Sequence, residues 1–241
     1  MKFVGIVGSN AEISYNRKLL HFIKKHFAKQ FELEILEIDN IPLFNQDLKW
    51  DENFQLRLLY NKITRADGVI ISTPEHNHTI SPALKSVIEW LSYDVHPFEN
   101  KPVMIVGASY YDQGTSRGQV HLRKILDAPG VNAYVLPGNE FLLGKAKQAF
   151  DEDGNIIDER TVGFLGLCLD NFVKYVEVVS KLKKPKPIAP EDLDVTNSIS
   201  TTIQGIDPDD PDWVEKAAEL VGAVSGDTYV KLDHGILTVN Q

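Results

Sequence analysis

The sequence has little cysteine and no excess of positive charge. Its single cysteine, Cys168, excludes an internal disulfide and a zinc site built from cysteines. The apolar neighbours of Cys168 indicate a small core residue rather than a nucleophile. A formal net charge of −9 lacks the electrostatic footprint of a protein that binds nucleic acid or an anionic membrane. We therefore expect neither a nucleic-acid nor a membrane partner.

Long apolar runs are also missing. No stretch approaches the length of a membrane span, and the opening residues, MKFVGIVGS, are too short for the core of a signal peptide. These absences predict a cytoplasmic protein. With 241 residues, 43% of them hydrophobic, the chain can form one large domain or one domain with an appendage.

Two common nucleotide-binding motifs are absent, yet the first loop is rich in polar groups. The run Gly5-Ile6-Val7-Gly8 lacks the glycine spacing of a dinucleotide fingerprint, and no GK[ST] sequence is present for a P-loop. Loop 8–16 nevertheless precedes a predicted helix, 15–29, whose free N–H groups and positive dipole end favour a phosphate. Plain capping of that helix is the alternative. The loop residues with suitable side chains are Ser9, Ser14 and Asn16.

Short β-branched segments alternate with amphipathic helical patterns along most of the chain. This alternation predicts an α/β fold with a doubly wound, five-stranded parallel sheet in the flavodoxin-like order 2-1-3-4-5. The loops after strands one, three and four should then converge on one crevice at the carboxyl edge of the sheet. The predicted strands are 3–7, 31–38, 69–71, 102–107 and 131–136, and the helices are 15–29, 53–65, a helix starting at 81–82, 119–126 and 158–182.

The loop after the third strand carries more polar groups than a connection needs. Pro74 stiffens it, and residues 75–79 offer both donors and acceptors, which would suit a planar heteroaromatic ring with amide and imide edges. A solvated turn is the alternative. Ser81 and Pro82 are typical of a helix start, the first as cap and the second at the first helical position.

Three loops of this chain match one family. The first loop has Gly8-Ser9 followed by Ser14 and Asn16, and the second reads Pro74-Glu75-His76-Asn77 before Ser81-Pro82, Leu84-Lys85 and Trp90. The third has Gly114 and Gly118 before Leu122-Arg123. Over about residues 1–182, the chain thereby resembles the NADPH-dependent FMN reductases, flavodoxin-fold enzymes that include many quinone and azo reductases. Ala11 replaces the usual arginine of that family, and His76 replaces its usual tyrosine.

This resemblance implies non-covalently bound FMN, reduced by NAD(P)H and reoxidised by a quinone, an azo compound, a flavin or a similar acceptor. It implies no obligatory catalytic acid or base, because the protein supplies position and electrostatics for the chemistry of the cofactor. It also implies a homodimer or homotetramer. Trp90, Tyr93 and His96 are candidates for the interface, with ordinary packing as the alternative. The residues expected to contact FMN are Ser9, Ser14, Tyr15, Asn16, Pro74, Glu75, His76, Asn77, Ser109, Tyr110 and Gly114.

Three other functions remain open at this point. The protein could be a flavodoxin-type electron carrier that does not oxidise nicotinamide, and its acidic charge favours that class. It could be an interaction protein that has lost the flavin, as the replacements at Ala11 and His76 suggest. A metal site on His76 and His78 is the third alternative, with weak support from an i,i+2 pair in a loop.

The last quarter of the chain differs in composition. A proline-rich linker begins at Lys183, and from there onward the chain has 11 acidic and five basic residues. The pattern predicts a helix from Asp210 to about Gly226 and a hairpin over 228–239, too little to hold a core alone. We therefore expect residues 183–241 to form a small extension that docks on the flavodoxin-like domain of its own or a neighbouring subunit. Disorder is the alternative.

Overall fold

The computed structural model describes residues 1–182, 229–233 and 236–240. The chain divides into two compact units, Met1–Lys184 and Pro185–Gln241, and each is described by itself. Among the described residues, no helix combines the length and apolarity that crossing a membrane requires.

The first unit is built on a parallel sheet. Its strands have the order β2-β1-β3-β4-β5, and β6 also pairs with β4. The predicted α/β class and the order 2-1-3-4-5 are confirmed. The strands are β1 (Lys2–Val7), β2 (Glu32–Leu36), β3 (Gly68–Ser72), β4 (Pro102–Ala108), β5 (Tyr134–Val135) and β6 (Phe141–Leu143).

The fifth strand position departs from the prediction of one strand over 131–136. The structure keeps only the two residues of β5, which pair with the start of β4, and adds the three residues of β6, which pair with its end. The sequence Pro137-Gly138 separates the two short strands, because proline cannot donate to the ladder and Gly138 has a φ of +67°. The guanidinium of Arg123 holds the intervening loop by donating to the carbonyls of Leu136 and Asn139, at 2.9 and 3.1 Å.

Helices cover both faces of the sheet. Alternate residues of each buried strand face opposite sides, as Ile70 and its neighbours Val69 and Ile71 do in β3. One side packs against the first helix and the last two helices of the unit, and the other against the three helices between them. The helices are α1 (Tyr15–His26), α2 (Phe54–Arg65), α3 (Pro82–Tyr93), α4 (Ser116–Leu126), the short α5 (Ala146–Ala149) and α6 (Glu159–Leu182), with a 3-10 turn at Trp50–Glu52.

The predicted cap of α3 is confirmed: Ser81 Oγ accepts the N–H of Leu84 at 3.0 Å, and Pro82 is the first helical residue. Cys168 is buried in the core between α6 and the sheet, and burial raises the pKa of its thiol. It is therefore a packing residue, as its sequence context predicts.

In the second unit, β7 (Tyr229–Asp233) and β8 (Ile236–Asn240) pair antiparallel, with Asp233 opposite Ile236. This is the hairpin predicted from the sequence. The predicted linker and the helix beginning at Asp210 lie outside the described residues.

Candidate active site

The loops after β1, β3 and β4 meet at the carboxyl edge of the sheet. The N–H of Gly8 donates to the carbonyl of Ser72 at 2.8 Å, and the hydroxyl of Ser81 donates to the carbonyl of Gly8 at 2.7 Å. The approach is so close that a Cβ on Gly8 would lie 2.7 Å from the Ser72 oxygen. The predicted convergence of the three loops is confirmed.

Asn16 joins these loops through a buried side chain. Its Nδ2 donates to the carbonyl of Ala108 at 3.0 Å, and its Oδ1 accepts the N–H of Ala108 at 3.0 Å and the hydroxyl of Ser72 at 2.9 Å. The amide therefore has one hydrogen left for a ligand. The sequence assigns this side chain to a phosphate, whereas the structure gives it a supporting position between α1, β3 and β4.

The remaining polar residues of the first loop keep donors available. Ser9 Oγ accepts the N–H of Ala11 at 3.2 Å, and Ser14 Oγ caps α1 by accepting the N–H of Arg17 at 3.3 Å. Both serines are buried, and within residues 1–182 neither hydroxyl donates to a protein acceptor. Tyr15 is half-buried, with its ring stacked parallel to that of Phe150 at 6.5 Å.

The second loop forms a miniature hairpin. His76 and Thr79 exchange backbone hydrogen bonds of 2.8 and 3.0 Å. The two residues between them, Asn77 and His78, both have left-handed backbone, with φ of 49° and 66°, which is the geometry of a type I′ turn. His76 and Asn77 are exposed at this tip, and Nδ1 of His121 hydrogen-bonds Thr79 Oγ1 at 2.8 Å.

Glu75 connects the second loop to α4. Its Oε2 accepts the backbone N–H groups of Arg117 and Gly118 at 3.0 and 3.1 Å, and its side chain is only 11% exposed. The residue at the usual capping position, Thr115, has a φ of +74° and makes no side-chain cap. Glu75 therefore supplies the cap, a position that local sequence spacing could not indicate.

The third loop is folded against β6. The N–H of Ser109 donates to the carbonyl of Leu143 at 2.9 Å, and Ser109 Oγ accepts the N–H of Gly114 at 3.1 Å. Gly114 has a φ of +58°, and a Cβ there would lie 2.6 Å from the backbone carbon of Leu142. Tyr110 is 54% exposed beside these residues. The sequence predicted this loop but did not indicate that β6 packs against it.

The edge of the sheet fits an acceptor-rich ligand such as FMN. In the part of the chain that the structure describes, many backbone N–H groups of the three loops have no protein acceptor. Such groups can donate to a phosphate or to the carbonyl and ring nitrogen atoms of a flavin. Among them are the N–H groups of Glu12, Ile13, Glu75, Asn77 and Tyr110.

Two cavities flank this edge. One of about 390 Å³ adjoins the tip of the second loop and is lined by His78, Ser116, Arg117, Val120 and His121. The other, of about 480 Å³, runs along α1 and includes Ser14, Arg17 and Phe22. Among the described residues, no group of three or more His, Cys, Asp or Glu side chains is arranged to hold a metal ion.

The candidate interface residues have different environments. Trp90 is 3% exposed; its indole N–H donates to the carbonyl of Pro42 at 2.8 Å, and its ring meets Phe44 edge-on. Within the first unit, the structure therefore supports the alternative of ordinary packing for Trp90. Tyr93 is 51% exposed, and His96 is exposed with its Nδ1 at 2.9 Å from the carbonyl of Gly130.

The sheet is doubly wound and parallel, and three donor-rich loops meet at its switch point, where the strand order changes direction between β1 and β3. These features define a flavodoxin-like protein. Residues 1–148 match the family described as NADPH-dependent FMN reductase. The chain belongs to this family and is an oxidoreductase of the kind that uses NAD(P)H and FMN. The predicted family, enzyme class and cofactors are confirmed.

Several named relatives are similar over most of their own length. The chain is 43% identical to "NADH:(hydroxy)cinnamate reductase subunit CrdA" of Vibrio ruber, over 80% of this chain and 95% of that protein. It is 42% identical to "NADH-dependent flavin reductase subunit 2" of Lactobacillus johnsonii, over 75% and 100%. It is 33% identical to "Quinone reductase" of Escherichia coli, over 74% and 97%.

A solved structure shares the fold. The flavoenzyme NAD(P)H:(acceptor) oxidoreductase FerB from Paracoccus denitrificans superimposes with a TM-score of 0.66 at 28% sequence identity. The superposition covers 73% of this chain and 97% of FerB.

Proposed function

We propose that the protein transfers reducing equivalents from NAD(P)H through FMN to a small-molecule acceptor such as a quinone, an azo compound or a free flavin. The observation that carries this proposal is the convergence of three loops with unpaired N–H groups at the switch point of the sheet. FMN, when bound, supplies the redox chemistry, taking a hydride from the nicotinamide and passing electrons to the acceptor. The protein residues bind and orient the reactants.

The phosphate is assigned to the first loop. The free hydroxyl hydrogens of Ser9 and Ser14 and the unpaired N–H groups of Glu12 and Ile13 support this assignment. Asn16 has one amide hydrogen available, and its main role is to hold the loop against Ser72 and Ala108. Tyr15, beside them at the start of α1, forms part of the same wall.

The ring is assigned to the second and third loops. Pro74, Glu75, His76 and Asn77 would line one edge, and Ser109, Tyr110 and Gly114 the other. The unpaired N–H groups of Glu75, Asn77 and Tyr110 support this arrangement, because donors at the carbonyl edge of a flavin stabilise the negative charge of its reduced form. The cavity beside His78 and His121 adjoins this edge and is our candidate for entry of the acceptor.

NADH is the proposed donor, because the relatives that are 43% and 42% identical carry NADH in their names. We place the enzyme in the cytoplasm, in keeping with its single buried thiol. The proposed assembly is a homodimer or homotetramer. Residues 183–241 are proposed to dock on the α/β unit of the same or a neighbouring subunit and to restrict which acceptors are used.

The test is to purify the full chain, release the flavin by heat and separate it by chromatography. We expect FMN, since the edge offers one phosphate-sized loop. Under anaerobic conditions NADH should bleach the yellow protein faster than NADPH, and a quinone or azo dye should restore the colour. Recovery of FAD would contradict the cofactor assignment. Failure of both nicotinamides to bleach bound FMN would favour an electron carrier instead.

A second assembly is favoured by one observation. The relatives that are 43% and 42% identical are both named as subunits. The protein would then deliver electrons to a partner protein rather than to a free acceptor. Purification of a tagged copy of the full chain from its own cell extract distinguishes the two. A stoichiometric second protein supports the partner, and a homo-oligomer alone supports the free acceptor.

A further inference from the structure

Arg17 is the first cation after the first loop, and its side chain is bound on two sides. Nε and Nη2 donate to Glu37 Oε1 and Oε2 at 2.7 and 2.8 Å. Nη1 donates to two consecutive loop carbonyls, those of Ala11 and Glu12, at 2.7 and 2.8 Å. Because Glu37 directly follows β2, the guanidinium connects the loop after β1 to the neighbouring strand.

The guanidinium of Arg17 has only one N–H group left for a ligand. A guanidinium has five N–H groups, and four of those on Arg17 already have acceptors. A bidentate contact with a phosphate would require breaking a hydrogen bond to Glu37 or to one of the two loop carbonyls. The hydrogen bonds that Arg17 donates to Glu37 also raise the pKa of Arg17, which keeps the side chain charged.

The two bound carbonyls fix the direction of the next two N–H groups. In a trans peptide the C=O of one residue and the N–H of the following residue point in opposite directions, and the described chain has no cis peptide. Since the carbonyls of Ala11 and Glu12 face Arg17, the N–H groups of Glu12 and Ile13 face away from it. These N–H groups have no protein acceptor in the part of the chain that the structure describes.

We propose that Arg17 and Glu37 are positioning residues for phosphate recognition: they hold the loop carbonyls so that the N–H groups of Glu12 and Ile13 donate to the phosphate of FMN. This inference rests on the proposed function and deepens it. In this chain an internal cation orients the loop and neutral N–H groups contact the anion. The two residues thereby set the preference for FMN over riboflavin, which lacks the phosphate.

The test measures dissociation constants of FMN and riboflavin for full-length protein stripped of flavin. Arg17→Lys keeps the positive charge but loses the planar set of N–H donors. It should raise the dissociation constant of FMN by about tenfold or more and leave that of riboflavin within about twofold. Glu37→Gln should also weaken FMN binding, by about threefold to tenfold, because the guanidinium loses its bidentate pair with a carboxylate. Glu34→Gln is the matched control, because it breaks the exposed ion pair between Glu34 of β2 and Lys62.

The Glu37 variant separates positioning from direct contact. If Arg17 contacted the phosphate itself, Glu37→Gln would free the guanidinium and strengthen FMN binding. Tighter or unchanged FMN binding in that variant, or a parallel loss of riboflavin, overturns the inference. Wild-type protein that binds neither flavin would instead refute the proposed function, whereas normal FMN binding by all three variants refutes only the role of Arg17 and Glu37.

Discussion

The carboxylate of Glu75 caps α4 through the backbone N–H of Gly118, a residue 43 positions further along the chain. The hydrogen bond is 3.1 Å long and is paired with one of 3.0 Å from Arg117. This contact fixes the second loop relative to the third, so the two proposed walls of the flavin site are connected directly. The charge of Glu75 lies near the positive end of the helix dipole, where a carboxylate is favoured.

Changing Glu75 should affect stability more than chemistry. Glu75→Gln keeps an oxygen acceptor and should lower turnover by less than about tenfold, or roughly 1.4 kcal/mol of barrier. Glu75→Ala leaves α4 without its cap and should lower the free energy of unfolding by about 1–2 kcal/mol. Urea denaturation and steady-state kinetics measure the two effects. Glu89→Ala, which removes a half-exposed partner of Lys85, is the control. A loss of several orders of magnitude in Glu75→Gln with FMN bound would reveal a chemical role.

Removing the amide of Asn16 should destabilise the protein and weaken FMN together. Asn16→Ala leaves the buried N–H and C=O of Ala108 without partners, at about 1–3 kcal/mol for each group. Asn53→Ala, which removes only the cap of α2, should cost about 1 kcal/mol. Denaturation of the flavin-free proteins compares them. Equal losses would show that Asn16 does not join the loops.

Combining Asn16→Ala with Ser14→Ala should weaken FMN binding by roughly 2–5 kcal/mol. An unchanged dissociation constant would mean that the phosphate binds elsewhere.

Replacing His121 should change the use of acceptors more than the binding of FMN. The ring holds Thr79 of the second loop and lines the cavity of about 390 Å³. His121→Ala should therefore change kcat/KM for a quinone by about threefold to tenfold, or roughly 0.7–1.4 kcal/mol, with FMN affinity within about twofold. His96→Ala, at a separate cavity, is the control. Equal kinetics for the two variants across several acceptors would exclude this entry route.

Acid should remove the contribution of Asp158 to stability. Its Oδ2 accepts the N–H and hydroxyl of Thr161 at 2.9 and 2.6 Å, and the hydroxyl bond is the main cause that lowers the pKa of Asp158. A group whose pKa is lowered on folding stabilises the protein above its unfolded pKa of about 4, and this stabilisation is lost as the pH falls through the lower folded value. Asp158→Ala should thus lower the melting temperature at pH 7, with a smaller difference from wild type in strong acid. Asp170→Ala, at an exposed position within α6, should have little effect at either pH.

Deleting residues 185–241 tests the proposed extension. If it docks on the α/β unit, the truncated protein should have a lower melting temperature or a smaller oligomer, and its acceptor preference should change more than its FMN affinity. Light scattering, thermal denaturation and an acceptor panel measure these properties. If mass in solution, melting temperature and acceptor profile are all retained, the extension is a free tail.

Local patterns predicted the parts of the site that depend on neighbouring residues. Ser81 and Pro82 could be assigned as the start of α3 because a cap acts within one helical turn. The partners of Glu75 and Asn16 could not be predicted, because these side chains contact backbone 42 to 92 positions away and single-sequence spacing holds no record of such pairs. The strand β6 was missed because three residues after Pro137-Gly138 are too few to show a period.

The divided fifth strand has a consequence for self-association. An exposed strand edge can template pairing with the edge of another chain, and proteins commonly limit this with short edge strands or charge. Here β5 and β6 have only two and three residues. The loop between them is held by hydrogen bonds from Arg123. At the opposite margin, β2 places exposed Glu32 and half-exposed Glu34 along its side. Growth of the parallel sheet of the first unit from one molecule into the next is thus opposed at both of its edges.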